Sequence, residues 1–229
     1  MTSAQFREGR LRARMTQAEA ARRLGISQPY LSQLESSQRS VTPELMRLAA
    51  TTFRLPPTVL PVPQAVSPMA TSPSLLARQL CSLGYPGFAH LRARSKTNPA
   101  VVVLDALLQG DLDVRISEAL PWVLLRYPDL NWPWLIRHSK LHDAQNRLGF
   151  LVALARSLAS RRPELKQAEG QLALVEQQLE RARLARQDTL CRESMPSAER
   201  RWVERNRPAL ARHWNLLTTL SENDLSYAA

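Results

Sequence analysis

The chain has 229 residues, 44% of them hydrophobic, with 31 Lys and Arg against 20 Asp and Glu and a formal charge of +11. That length exceeds one small domain and suits a reader domain joined to a larger one, and the basic balance suits a polyanionic partner. Only 7 glycines accompany recurrent Leu, Ala, Arg, Glu and Gln, a composition that favours helix over sheet. No apolar run reaches the roughly 18 residues needed to cross a bilayer. Leu148 to Leu158 comes nearest and is interrupted by Arg156, so no membrane partner is expected. Cys81 and Cys191 stand far apart in no CxxC arrangement, and the N-terminus lacks a signal-peptide pattern, which points to a reduced cytoplasm.

Residues 1–55 hold nine arginines and four glutamates, so positive charge is densest at the start. The informative string there is MTQAEAARRLGISQPYLSQLESSQRSVTPELMRLA. Thr16 opens a helix, with Glu19 three residues on as in a capping box, and Ala20 and Leu24 give it an inward side. Gly25 permits a tight reversal and Ile26 plugs the angle between helices. Ser27 then caps a second helix, anchored by Leu31 and Leu34. Gln28, Pro29, Ser32 and Gln33 fall on the outward face of its first turns. A glutamine can bond an adenine edge bidentately in the major groove. Gln17, at the start of the preceding helix, is placed for a phosphate. Arg10, Arg12, Arg14, Arg22, Arg23 and Arg39 are expected to supply flanking positive charge, and Tyr30 and Arg39 complete the expected DNA-binding set of Gln17, Ser27, Gln28, Pro29, Tyr30, Ser32, Gln33 and Arg39.

Thr16-Gln17, Ala21, Gly25, Ser27-Gln28 and Leu34-Glu35 sit at the spacing of the Xre, or phage-repressor-like, helix-turn-helix regulators, which residues 5–60 resemble. The resemblance implies a five-helix, lambda-repressor-like domain over residues 1–60. It also implies backbone contact by Gln17 and base contact by Gln28, Ser32 and Gln33. Two departures stand out: Pro29 occupies a position where a polar base reader is common, and Ser36-Ser37 replaces a frequent Asn-Gly turn.

Leu55 to Ser74 carries recurrent proline and no charge, and residues 61–74 are expected to form an extended, semi-rigid linker. Thr58 to Leu60 is a stretch that can pack back on the first domain. Helical periodicity resumes in SLLARQLCSLG, with Ser74 as cap and Gly84 as stop. NPAVVVLDALLQG starts on Asn98-Pro99, and VRISEAL and PWVLLRY follow as separate helices. Asn131 is expected to cap NWPWLIRHSKL, and DAQNRLGFLVALARSLASRR continues at helical spacing. Glu164 to Arg186 reads as a long amphipathic helix or short coiled coil, either paired with a second copy or packed within its own domain. Ser197 and Pro208 open two more helices, and SENDLSYAA is a short, frayed end.

Chemical readings of residues 75–229 find little support. His138 and His142 lie four apart, but Ser139 stands where a zincin needs Glu and no third ligand is evident, so HSKLH reads as polar surface. No phosphate-binding glycine motif is present, and the scattered Asp and Glu form no recognisable pair. Neither an enzyme nor a cofactor is expected. Trp122, Tyr127, Trp132 and Trp134 crowd thirteen positions and precede Asp143, Gln145, Asn146 and Arg147 on an apolar helix. The pattern fits a core with an internal hydrogen-bond network, or a recognition surface built on Trp132, Trp134, Asp143, Asn146 and Arg147. Residues 119–156 resemble the C-terminal part of Xre-type regulators that accompany abortive-infection nucleotidyltransferase toxins, which implies an autorepressing antitoxin. The expected whole is an all-α repressor: a helix-turn-helix domain over 1–60, a linker, and a larger helical regulatory domain over 75–229. Its expected partners are operator duplex DNA, a second copy in a homodimer, and a toxin of the nucleotidyltransferase type. A ligand-responsive regulator without a toxin is the alternative.

Overall fold

In the computed structural model, which describes residues 2–66, 71–93 and 96–225, twelve α-helices carry the chain. The strands among those residues are two short pieces, β1 (Asp188–Thr189) and β2 (Leu216–Leu217), paired in parallel with Asp188 opposite Leu216. The all-α expectation is met. No helix among these residues is long and apolar enough to cross a membrane. The chain divides into two units, Met1–Gln64 and Ala65–Ala229.

The first unit contains α1 (Ser3–Arg12), α2 (Gln17–Leu24), α3 (Gln28–Glu35) and α4 (Pro43–Thr52). Each starts on a threonine or serine whose hydroxyl accepts a hydrogen bond from a backbone N–H in the first turn: Thr2, Thr16, Ser27 and Thr42. Such a cap is worth about 1 kcal/mol, so four of them matter in helices of eight to ten residues that are too short to persist alone. The capping box expected at Thr16 is only half formed, because the Glu19 carboxylate pairs with Arg23 at 2.8 Å. Gly25 adopts φ +65°, the left-handed conformation that closes α2 and turns the chain into α3. Phe6, Ala20, Leu24, Leu31, Leu34, Leu45, Ala49 and Phe53 form the core. In place of a fifth α-helix the unit has one 3₁₀ turn, Pro57–Val59, with Pro57 buried. Three proline residues in Pro56, Pro57 and Pro61 leave no room for a longer helix.

The second unit runs through α5 (Pro73–Ser82), α6 (Pro99–Leu107), α7 (Val114–Arg126), α8 (Trp132–Leu141), α9 (Gln145–Ser160) and α10 (Lys166–Glu180), then α11 (Ser197–Asn206) and α12 (Ala209–His213). Three sequence readings change here. The cap of α5 is Ser72, because Pro73 fits the first helical position and moves the start two residues upstream of Ser74. Part of the expected linker, residues 67–70, lies outside the described residues, as do residues 226–229 of the frayed end. VRISEAL and PWVLLRY are one helix with Pro121 inside it. An interior proline costs roughly 3 kcal/mol, and the buried side chains on both sides of it, Ile116, Leu120, Val123 and Leu124, hold the two halves in one line. The helix expected over 164–186 is preceded by a 3₁₀ turn at Pro163–Leu165 and ends at Glu180.

Helix α9 is the axis of this unit. Of its sixteen residues thirteen are buried, including Leu148, Phe150, Leu151, Leu154 and Leu158. Helix α10 lays Ala168, Leu172, Val175 and Leu179 along α9, so of the two uses open to its apolar stripe the structure takes the intramolecular one. Trp214 is fully buried and seated on Gly149. An added Cβ there would stand 2.2 Å from the indole, so the ring's seat requires that the helix carry no side chain at this point.

Candidate nucleic-acid interface

The reader face begins with the fork between α1 and α3. Arg10 donates from Nε and Nη2 to the two carboxylate oxygens of Glu35 at 2.6 and 2.9 Å, and from Nη1 to the Met15 carbonyl at 2.9 Å. Gln17 donates its amide N–H to Glu35 Oε2 at 3.0 Å. Both partners of the ion pair are nearly inaccessible, at 8% and 4% of their side-chain surface. Burial alone would push the Glu35 carboxyl up. The bonds from Arg10 and Gln17 and the Arg10 charge outweigh it and hold the carboxyl below its ordinary value. Three elements that carry the motif, α1, α2 and the end of α3, are thereby tied through one carboxylate.

This network revises one expectation. The sequence places Arg10 with the flanking positive charge, but its guanidinium is buried against Glu35 and faces inward. Arg12 and Arg23 are exposed and pair with Glu8 and Glu19 one helical turn away. Such surface pairs are weak and exchange readily for a phosphate.

Ser27, Gln28, Pro29 and Ser32 are exposed on the first turns of α3, while Tyr30 and Gln33 are half-buried. Ser27 caps the helix by accepting from the Tyr30 N–H, and Pro29 sits in the first turn, where a proline costs no intrahelical bond. Gln33 accepts from Arg39 Nε at 3.1 Å, and the Arg39 guanidinium lies 5.9 Å from the centre of the Tyr30 ring. Tyr30, Gln33 and Arg39 are therefore one linked group beside the Gln28, Pro29 and Ser32 surface. Ser37 takes φ +64° in the turn after α3, the conformation that an Asn-Gly pair would adopt more easily.

The second group of singled-out residues divides. Asn146 faces inward and clasps the Leu184 backbone twice, donating to its carbonyl at 2.9 Å and accepting from its N–H at 2.8 Å. Arg147 donates from Nε and Nη2 to Asp188 at 2.7 and 2.9 Å, and from Nη1 to the carbonyls of Leu107 and Gln109 at 2.8 and 3.2 Å. Burial disfavours its charge, yet Asp188 and the neighbouring groups hold its pKa above the usual arginine value. Trp132 is also buried and donates its indole N–H to the Pro128 carbonyl at 2.9 Å. The recognition surface expected from these residues is thus narrowed to half-buried Trp134 and exposed Asp143, because Trp132, Asn146 and Arg147 turn their polar groups into the domain. His138 is likewise not polar surface. It is buried against the Trp134 ring, with centroids 4.7 Å apart, and no group of three His, Cys, Asp or Glu able to hold a metal occurs among the described residues. Burial, and then the charge of Arg137, lower the His138 pKa.

The sequence marks Glu35 only as the end of the motif, not as the partner of Arg10, and does not mark Asp188 at all. A buried arginine demands a carboxylate, but the partners stand 25 and 41 positions away, beyond what periodicity can reach.

Residues 6–60, within the first unit, match the helix-turn-helix family model (HTH_3). A curated relative from Cereibacter sphaeroides, named a propionyl-CoA carboxylase regulator, is 32% identical over 141 residues that cover 54% of this chain and 30% of the relative. This chain therefore spans less than a third of that relative's length. The match covers more residues than the first unit holds, so it extends into the second. No solved structure matches the chain.

Proposed function

We propose that the protein is a sequence-specific transcriptional repressor that inserts the N-terminal half of α3 into the major groove of operator DNA. The observation that carries this reading is the exposed Gln28, Pro29 and Ser32 surface, on a helix whose far end is fixed by the Arg10, Gln17 and Glu35 network. Gln28 reads a base edge, Pro29 contributes shape or apolar contact, and Ser32 and Gln33 extend the readout. Arg39 and the exposed arginines of α1 and α2 supply phosphate contacts. The helix-turn-helix match of residues 6–60 and the regulator name of the relative support the reading.

One such unit covers little DNA, so the working form is a homodimer on a pseudo-palindrome with half-sites about 34 Å apart. Mass measured across concentration tests this, and a monomer at micromolar levels counts against it. The helix-turn-helix is tested with a duplex selected from a random pool. Gln28→Ala lowers affinity for that duplex by roughly 1–3 kcal/mol and leaves binding to unrelated DNA nearly intact. Equal loss on every sequence removes Gln28 from the base readers. Six or more phosphate contacts make binding weaken by about a thousandfold between 50 and 200 mM salt. An antitoxin role rests on the resemblance of residues 119–156 alone. Co-purification with the product of an adjacent nucleotidyltransferase gene tests it. The regulator name of the relative fits the alternative, a regulator without a toxin partner.

A further inference from the structure

A cavity of about 160 Å³ lies in the second unit, bounded by the start of α7, residues 190–195, α11 and the stretch that follows β2. It occupies a seam. Leu190 belongs to the main core, whereas Met195, Val203 and Leu217 form a small apolar cluster of their own, and all four line the space. The space is partly open to solvent, since Val114, Arg192 and Asp224 in its wall are exposed.

The polar part of the wall is unbalanced. Glu118, half-buried on α7, makes no hydrogen bond or ion pair with any described residue. Burial and the nearby charges of Asp224 and Asp113 disfavour its ionised form and outweigh the opposing charge of Arg115. Asp224 lines the cavity too, and its Oδ2 is occupied by the Ser221 N–H and hydroxyl, each at 2.8 Å. The cation in the wall, Arg192, is paired with Glu199 at 2.7 Å. Ser117, 92% buried by its 8% exposure, has a hydroxyl whose bond to the Asp113 carbonyl is 3.5 Å long, at the outer limit of a hydrogen bond. Two carboxylates, half-buried Glu118 and exposed Asp224, and a weakly held hydroxyl thus line an apolar space whose lining cation, Arg192, is already paired, while Arg115 acts on Glu118 from outside the lining.

We propose that this cavity binds a small primary ammonium compound with a short aliphatic chain, the ammonium on Glu118 and Asp224 and the chain against Leu190, Met195, Val203 and Leu217. Size supports this choice, because the space is equivalent to about five waters at roughly 30 Å³ each and suits a ligand of about six heavy atoms. Charge does as well. An ammonium supplies the donors that two carboxylates lack, an alcohol supplies one donor and no charge, and a carboxylate adds a third negative group. The elements around the cavity are far apart in sequence, so an occupant fastens the segment from Leu190 to Asp224 onto α7.

The proposal is independent of the DNA reading, and its test contains no DNA. The full chain is titrated with pentylammonium chloride, pentanol and sodium pentanoate, each to about 20 mM, following thermal midpoint and saturation-transfer NMR from the ligand methyl group. Pentylammonium gives a saturable upward shift and binds about tenfold more tightly than pentanol, and pentanoate gives none. Glu118→Gln weakens pentylammonium about tenfold without lowering the midpoint of the free protein. If that variant does not fold, Leu217→Phe fills the cavity and abolishes the NMR transfer. Equal binding of amine and alcohol, preference for pentanoate, an unchanged Glu118→Gln, or no saturable response overturns the proposal.

Discussion

Each unit of this protein buries one arginine on one carboxylate, and the two arginines do different work. Arg10 and Glu35 bridge helices that are close in sequence, and their third member, Gln17, belongs to the helix-turn-helix motif. Arg147 and Asp188 lie in a domain where α9 is apolar on nearly every side, and the guanidinium also holds the carbonyls of Leu107 and Gln109. The first pair sets the posture of the exposed α3 surface. The second closes a fold, joining the end of α6, the start of α9 and β1 where no hydrophobic contact satisfies the backbone. A buried pair is a weak source of net stability compared with packed apolar side chains, but breaking one strands the remaining charge. Both pairs therefore act most strongly through geometry.

The sharpest way to break this comparison is Arg147→Ala. It leaves Asp188 without its cationic partner, removes the guanidinium donor from the Gln109 carbonyl and leaves the Leu107 carbonyl only the weak Cys191 thiol, and we expect the second unit to lose about 3–5 kcal/mol. All five tryptophans lie beyond residue 120, so urea unfolding followed by tryptophan fluorescence reports the second unit alone. A loss below about 1 kcal/mol would show that the network is dispensable.

Next in size is Gly149→Ala. The new methyl group collides with fully buried Trp214, and overpacking of this kind costs roughly 1–3 kcal/mol. The same fluorescence measurement should show it, with a red-shifted native spectrum as the ring is displaced. An unshifted spectrum and unchanged midpoint would mean that the seat is looser than its contacts indicate.

Acid should separate the units by sign. Glu35 has a depressed carboxyl pKa, so its stabilisation of the first unit is complete above the ordinary value of 4.5 and disappears as pH falls below it. Asp105 on α6 behaves oppositely, since burial pushes its carboxyl up to about 6. Its ionised form is unfavourable in the fold, so the second unit loses stability as pH rises from about 4 through 6. Hydrogen exchange of peptides from α2 and α3 should accelerate below pH 4 and do so less in Glu35→Gln. Asp105→Asn should flatten the tryptophan-detected stability profile between pH 4 and 6. Parallel profiles in the two units would refute the distinction.

The smallest effect expected is a gain. Ser37 holds φ +64°, and Ser37→Gly relieves that conformation, stabilising the first unit by roughly 0.5–1 kcal/mol in thermal melts followed by circular dichroism. No gain would mean that the turn is already compensated by its backbone bonds.

The sequence by itself determined the caps of α2, α3, α6 and α8, the apolar stripes and the turn of the helix-turn-helix, because those signals act within one or two helical turns. Thr16, Gly25, Ser27, Leu31 and Leu34 each do locally what their residue type and spacing imply, and Asn98 and Asn131 cap helices for the same reason. The exposed face of α3 was legible by subtraction, once the anchoring leucines were placed. Tertiary structure decided everything that depends on a partner far along the chain. It turned Arg10 from a surface charge into a buried one, kept α7 continuous through Pro121, ended α10 at Glu180, and directed Asn146 and Arg147 inward. A long polar side chain buries its charge or presents it according to whether a complementary group arrives from elsewhere, and only the completed fold fixes that.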